Sequence, residues 1–407
     1  MKIVHINTAS VGGGAAIAAM RHVEAMICAG HDTVLLASRN EKYKSSVYRI
    51  PRSKLSLAIN LSLTETVRLL QKKVLDPIGT FSFNYTSYPI HKLDLLKQAD
   101  IIILHWINGL VDTKEIEKIL NLGKPTYWFM HDMYPITGGC HHALDCLKYM
   151  YQCKSCPLLR KKNLYDFAKY NFDRKLKTFI KFNNLSFIVP SRWLGNCVSK
   201  SKIGQGHKIY VIPNMINCNV FKPLEIETKS FFGLNHRKKT VLFSANNLTD
   251  PYKGTQYVID CLKKLDPNKF EGLVIGLANK SILDSLPLNV VSTGKLSDEL
   301  ALSLAYNACD VVLISSIAEN YPNVVLEAMA CGKPCVGFPT GGIPDLIKHK
   351  ISGYLTSDKN AEALFEGIEY VFSSDEIYHK LSASAHSQIL KMNSYGNIHT
   401  LYKELGI

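Results

Sequence analysis

Apolar and polar positions alternate in blocks along the first forty residues. An apolar run at 3–6 leads into Gly12, Gly13 and Gly14, then into a helical pattern over 15–29. Gly30-His31 ends that helix, and a second apolar run follows at 33–37. Strand, glycine turn, helix and strand open a parallel α/β sheet, because parallel strands need a crossover connection. Further apolar runs stand at 101–104, 126–130 and 187–189. A second series begins near Ile209, with runs at 210–212, 241–244, 272–275, 290–292, 311–314 and 334–337, and helical patterns fall between them. The pattern predicts an α/β chain of two Rossmann-like parallel-sheet domains facing across a cleft, joined near Val211-Ile212-Pro213-Asn214.

The domains expected from this are residues 1–207, with a cysteine-rich insertion at 138–160, and residues 208–388. A terminal helix is expected at 389–407. A chain of 407 residues fits two or three domains at roughly 150 residues each. No stretch of 18 or more apolar residues occurs, so no membrane span is expected. The first residues, Met1-Lys2-Ile3-Val4-His5-Ile6, read as a strand and not as an export signal, which predicts a cytoplasmic protein.

Charge changes the picture, because it is uneven. Residues 1–200 hold 28 Lys and Arg against 14 Asp and Glu, so the whole excess of +14 lies there. Such a half suits phosphates or an anionic membrane surface, or is simply a basic soluble surface. Within it, residues 54–75 pattern as an amphipathic helix with Arg68, Lys72 and Lys73 on one face.

The candidate chemistry begins with the glycine loop. Glycines let backbone approach a phosphate, and a helix start offers free N–H groups. A plain turn reads the same way, and the spacing is not the GxGxxG of dinucleotide sites. The stronger signal is Glu319-Asn320-Tyr321-Pro322-Asn323-Val324-Val325-Leu326-Glu327. Its two acids stand eight positions apart, the first in a loop and the second in a helix starting near Pro322. Loop amides and the helix start can hold a diphosphate, while the acids accept hydrogen bonds from sugar and ribose hydroxyls. An ordinary amphipathic helix with a salt-bridged Glu fits the spacing equally well.

This stretch resembles the E-x7-E signature of retaining GT-B glycosyltransferases, the large GT4 family (glycosyl transferases group 1) in particular. Pro213-Asn214 and Lys253-Gly254 are similar to that family's PN and KG motifs. Gly341-Gly342-Ile343-Pro344-Asp345 and Gly353-Tyr354-Leu355 are similar to its G-G-x-x-[DE] and N-G-[FY]-L segments. His105-Trp106-Ile107-Asn108-Gly109 and the stretch His131-Asp132-Met133-Tyr134-Pro135 resemble the capsule and exopolysaccharide members, similar to the colanic acid transferases.

The resemblance implies that the terminal helix at 389–407 crosses back to the first domain, and it implies roles. Glu319 would hold the donor sugar's hydroxyls, Glu327 the ribose, and Lys253 the diphosphate. Asn320, Tyr321, Asn323 and Val324 would line the sugar and phosphates, with Gly13, Gly14, Asn246 and Asn247 also in the nucleotide-sugar site. His131 would face the sugar from the N-terminal domain and either stabilise positive charge or order the acceptor. Many relatives carry an Arg about five residues before the KG lysine, and Asn246-Asn247 stand in that region here. The implied reaction is hexosyl transfer, with retention, from a UDP- or GDP-sugar to a glycan acceptor on a lipid carrier. It serves cell-surface polysaccharide synthesis and needs no catalytic metal. The competing readings are another GT-B sugar-nucleotide enzyme such as an epimerase or phosphorylase, a zinc-knuckle nucleic-acid binder, and an NAD(P) enzyme.

Cys140, Cys146, Cys153 and Cys156 fall within 17 residues. Four thiols at that density suit a structural zinc ion, free or paired thiols, or an iron–sulfur centre. The stretch 158–182 follows, rich in Lys, Arg, Tyr and Phe. It suits docking on the inner face of the cytoplasmic membrane as a peripheral protein, or a solvated helix whose aromatics face the core.

Overall fold

The computed structural model describes residues 1–39, 45–50, 65–66, 69, 79–84, 87–160, 166–247, 250–277 and 283–407. Two compact units make up the chain, Met1–Ile212 with Leu401–Ile407, and Pro213–Thr400. The expected basic helix at 54–75 lies almost wholly outside the described residues.

The first unit holds a seven-stranded sheet, β1 (Lys2–Ala9), β2 (Asp32–Arg39), β3 (Val47–Arg49), β4 (Ile101–Leu104), β5 (Thr126–Phe129), β6 (Leu185–Val189) and β7 (Ile209–Val211). Their spatial order is β3-β2-β1-β4-β5-β6-β7, and every pairing is parallel. The runs are apolar on both faces because helices cover both sides, and the central strands are buried throughout. Helix α1 (Gly14–Cys28) crosses from β1 to β2. Gly12 and Gly13 have φ near +83° and +82°, so the turn into α1 needs residues without a Cβ. Helix α2 (Phe167–Phe179) is capped by the Asp166 carboxylate, which accepts from the Lys169 amide.

The second unit holds β8 (Lys239–Asn247), β9 (Phe270–Leu277), β10 (Val290–Ser292), β11 (Val311–Ile314), β12 (Cys335–Gly337) and β13 (Gly353–Leu355). Their order is β10-β9-β8-β11-β12-β13, again all parallel. Apolar clusters pack on its two faces, one around Leu242, Val312 and Met329, the other around Val241, Leu313 and Leu364. Helix α3 (Glu299–Asn307) precedes β11, and α4 (Asn323–Ala330) follows it. Helix α5 (Asp375–Met392) packs on α4.

Two boundaries differ from the sequence reading. The apolar pattern places β7 at the opening of the second series, yet β7 pairs with β6 through Phe187↔Ile209 and belongs to the first sheet. Pro213 follows directly, and a residue without an N–H cannot extend a ladder. The terminal helix also differs. α5 stops at Met392, Asn393 breaks it, and a short helix Ile398–Tyr402 follows. The last seven residues pack with the first unit, where the buried Tyr402 hydroxyl hydrogen bonds His22 Nδ1 at 2.9 Å. Among the described residues no helix is long and apolar enough to cross a membrane.

Candidate functional site

Strand order reverses between β8 and β11, since β9 and β10 lie to one side and β12 and β13 to the other. Ligands of open parallel sheets bind at the carboxyl ends of strands at such a reversal. A pocket stands there, lined among others by Phe243, Lys253, Thr255, Ser316, Glu319 and Val324. Lys253 ends a 3-10 turn, Pro251–Lys253, and donates through Nζ to Glu319 Oε2 at 2.6 Å. The Glu319 charge raises the Lys253 ammonium above its ordinary range, so Lys253 stays protonated at neutral pH. The Ser315 hydroxyl donates to the Lys253 carbonyl at 2.7 Å and fixes the turn against the end of β11. Gly254 has φ +61°, and a Cβ there would meet the Ser315 carbonyl oxygen at 2.2 Å.

Glu327 lies buried inside α4 and accepts from the Tyr306 hydroxyl at 2.8 Å. Tyr306, on α3, carries no motif and is visible only in the fold. Glu319 precedes α4 in the chain and Glu327 stands within it. The start of α4 has no side-chain cap, and like any helix start it carries partial positive charge.

The remaining expected residues divide by role. Asn214 Nδ2 donates to the Tyr321 carbonyl at 3.2 Å and to Asn323 Oδ1 at 3.4 Å. Asn393 Nδ2 in turn donates to the Asn214 carbonyl at 2.8 Å and to the Tyr321 hydroxyl at 3.1 Å. The Pro213-Asn214 motif therefore braces the E-x7-E loop, and the break after α5 is the other half of that brace. Asn320 is buried, and its amide faces Glu319 Oε1 at 3.3 Å. Asn246 and Asn247 end β8, and their side chains lie outside the described set.

Gly13, Gly14 and His131 belong to the first unit. Strand order reverses there too, between β1 and β4. Gly13 and Gly14 are exposed at the start of α1, which has no side-chain cap and no acid in its first turn. His131 follows β5, and its Nε2 lies 2.9 Å from His105 Nδ1. Burial pushes the His131 imidazole down to about 4. Its neighbour Asp132 turns to His141, with Oδ2 to Nδ1 at 2.6 Å, while His141 Nε2 meets the Ser82 hydroxyl at 2.8 Å.

Two expectations find no support. The four cysteines of the insertion line one pocket, yet among the described residues no three His, Cys, Asp or Glu side chains are placed to hold a metal ion. Burial pushes the Cys140 and Cys153 thiols up to about 12, so they pack as neutral groups. In the basic stretch, Phe172 and Phe179 of α2 are fully buried. Lys169 pairs with Asp173, Arg174 with Asp112 and Lys181 with Glu117, and the buried Lys175 Nζ donates to the carbonyls of Tyr134 and Thr137. This helix turns Phe172 and Phe179 to the core, where burial of apolar surface is favourable, and leaves Tyr170 exposed.

With that geometry in place, residues 225–388 match the family model of glycosyl transferases group 1. The chain is 29% identical over 204 residues to an uncharacterized glycosyltransferase of Methanocaldococcus jannaschii, across 47% of this chain and 52% of that protein. It is 26% identical over 227 residues to N-acetyl-alpha-D-glucosaminyl L-malate synthase of Bacillus anthracis, across 51% of this chain and 57% of that one. These matches span about half the length of the curated relatives. Among solved structures it is similar to sucrose-phosphate synthase from Thermosynechococcus elongatus, with TM-score 0.68, 15% identity and coverage of 100% and 99% of the two chains. It is also similar to Anabaena HepE in complex with UDP and glucose, with TM-score 0.66, 16% identity and the same coverage. The structural likeness establishes the fold of two parallel-sheet α/β units.

Proposed function

We propose that the chain is a retaining glycosyltransferase that moves a hexose from a nucleoside diphosphate sugar to a glycan hydroxyl. The observation that carries this reading is the pocket at the β8/β11 reversal, with Lys253 ion-paired to Glu319 and Glu327 held by Tyr306. Lys253 is the cation for the diphosphate, and a compact ammonium neutralises charge as it builds on the leaving group. When a donor enters, Glu319 exchanges its ion pair for the sugar hydroxyls and Lys253 turns to phosphate. The α4 amides serve the same anion. Glu327 takes the ribose diol, with Tyr306 holding the carboxylate in place.

The base is uracil or guanine, and the acceptor is a lipid-linked glycan of surface-polysaccharide assembly. The excess of basic residues in the first 200 suits an anionic lipid surface carrying such an acceptor. Pelleting with anionic but not neutral vesicles, lost at high salt, checks that part.

A thermal-stability panel of UDP, GDP and NAD(H) tests the central reading. A ligand of the native state stabilises by mass action, about 2.7 kcal/mol at a hundredfold excess over Kd. The expected result is a raised midpoint with one nucleoside diphosphate, lost in Glu327→Ala. A shift with NAD(H) alone overturns the reading. Epimerised sugar from donor incubated without acceptor makes the protein another sugar-nucleotide enzyme.

A further inference from the structure

Behind His131 runs a line of buried imidazoles that the E-x7-E chemistry does not use. His5 sits in the middle of β1, His105 just past β4 and His131 just past β5. Parallel register sets His5 beside Ile103, and Ile103 beside Tyr127. Successive steps of two residues then carry the three histidines diagonally along one face of the sheet. His22 and Met26 stand one turn apart on α1, which covers that face.

The contacts form a chain. His5 Nε2 lies 3.2 Å from Met26 Sδ, His5 Nδ1 lies 2.8 Å from His105 Nε2, and His105 Nδ1 lies 2.9 Å from His131 Nε2. Adjacent rings stack nearly parallel, at 16° and 20°. Burial keeps the line uncharged. It pushes His5 down to about 3 and His131 to about 4, and holds His22 and His105 well below their ordinary range. Asp132 beside His131 favours protonation, but desolvation outweighs it. Tyr402 and Phe129 close the remaining sides around His22 and His105.

A neutral imidazole has one N–H and one lone pair, whereas a thioether sulfur accepts only. Met26 therefore sets the direction of the whole line. His5 donates from Nε2 to sulfur, so its Nδ1 accepts from His105 Nε2–H. His105 Nδ1 then accepts from His131 Nε2–H. We propose that this Met26–His5–His105 relay locks His131 in its Nε2–H tautomer, with Nδ1 as the accepting nitrogen. The relay residues are positioning residues, and the effect on turnover rests on the transferase reading.

The test uses the full chain with 15N-labelled histidine. Two-bond proton–nitrogen correlation spectra at neutral pH should show Nε2 protonated and Nδ1 unprotonated at His5, His105 and His131. Met26→Leu conserves volume and removes the acceptor, a change that costs under about 1.5 kcal/mol in a core. It should leave the fold intact and give mixed tautomers along the line. With the sugar donor, kcat should fall roughly tenfold, less than the roughly hundredfold or more of losing a positioned proton acceptor, because mixed tautomers keep part of the population competent, and the donor KM should hold. A protonated Nδ1 at wild-type His131, or an unchanged spectrum in Met26→Leu, overturns the relay. Should the variant fail to fold, the wild-type spectrum alone decides. Absence of turnover with UDP- and GDP-sugars sinks the transferase reading and leaves the tautomer result standing.

Discussion

Gly254 is fixed by two independent constraints, a left-handed φ of +61° and a Ser315 carbonyl 2.2 Å from where a Cβ would sit. Gly254→Ala should therefore cost about 2–4 kcal/mol, combining backbone strain with overpacking. Urea denaturation measures it, and because the lost space abuts Lys253, nucleotide affinity should fall as well. Tyr306→Phe removes one hydroxyl from the buried Glu327 carboxylate. A hydrogen bond to a charged group contributes about 1.5–3 kcal/mol, so calorimetry of nucleoside diphosphate binding should show a loss of roughly ten- to a hundredfold. Unaltered affinity would mean that Tyr306 serves packing alone. Glu319, Glu327 and Lys253 were legible in the chain because a spaced motif marks them. Tyr306 and Asn393 were not, since nothing local distinguishes a buried Tyr or Asn that finds its partner through the fold.

Among elements, the break after α5 and the linker strand β7 matter most. Asn393 and Asn214 join the end of α5 to the loop before α4. Asn393→Ala leaves the Asn214 carbonyl and the Tyr321 hydroxyl without that donor. It should destabilise by about 1–3 kcal/mol, read as an earlier urea midpoint. The sheet of the first unit carries a second prediction, in pH. His5 and His131 sit below the unfolded value of 6.5, at about 3 and about 4. The unfolded chain therefore binds more protons than the native state over that window. Stability is fully present above pH 6.5 and falls as pH drops toward 4, by about 1.4 kcal/mol per pH unit for each such histidine. Denaturation at pH 7 and pH 5 measures the slope, and His5→Phe should flatten it. The strands themselves were readable from runs of apolar residues. The assignment of β7 was not, because a three-residue strand has no signal for which sheet it joins.

For the whole molecule, the two reversals of strand order set where chemistry can gather. In each unit the first strand is central and the chain winds outward on both sides of it. That leaves the carboxyl ends of β1 and β4, and of β8 and β11, as the sites that crossover helices do not cover. The candidate residues stand at those two places, Gly13, Gly14 and the histidine line in one unit, Lys253 and Glu319 in the other.

Local pattern was enough for the two parallel-sheet units and for the residues marked by a loop or helix motif, because period and turn chemistry are written into neighbouring positions. The cysteine cluster shows where that reasoning stops. Spacing brought four thiols together, but ligand geometry is a property of packed side chains, and among the described residues no three such side chains are placed to hold a metal ion. The histidine line shows the converse. Met26, His5, His105 and His131 lie apart in the chain, and only strand register and the covering helix place them within hydrogen-bond reach. Contacts of long sequence separation leave no local trace, so the tautomer of a side chain, the partner of a buried carboxylate and the sheet a short strand joins are settled by folding.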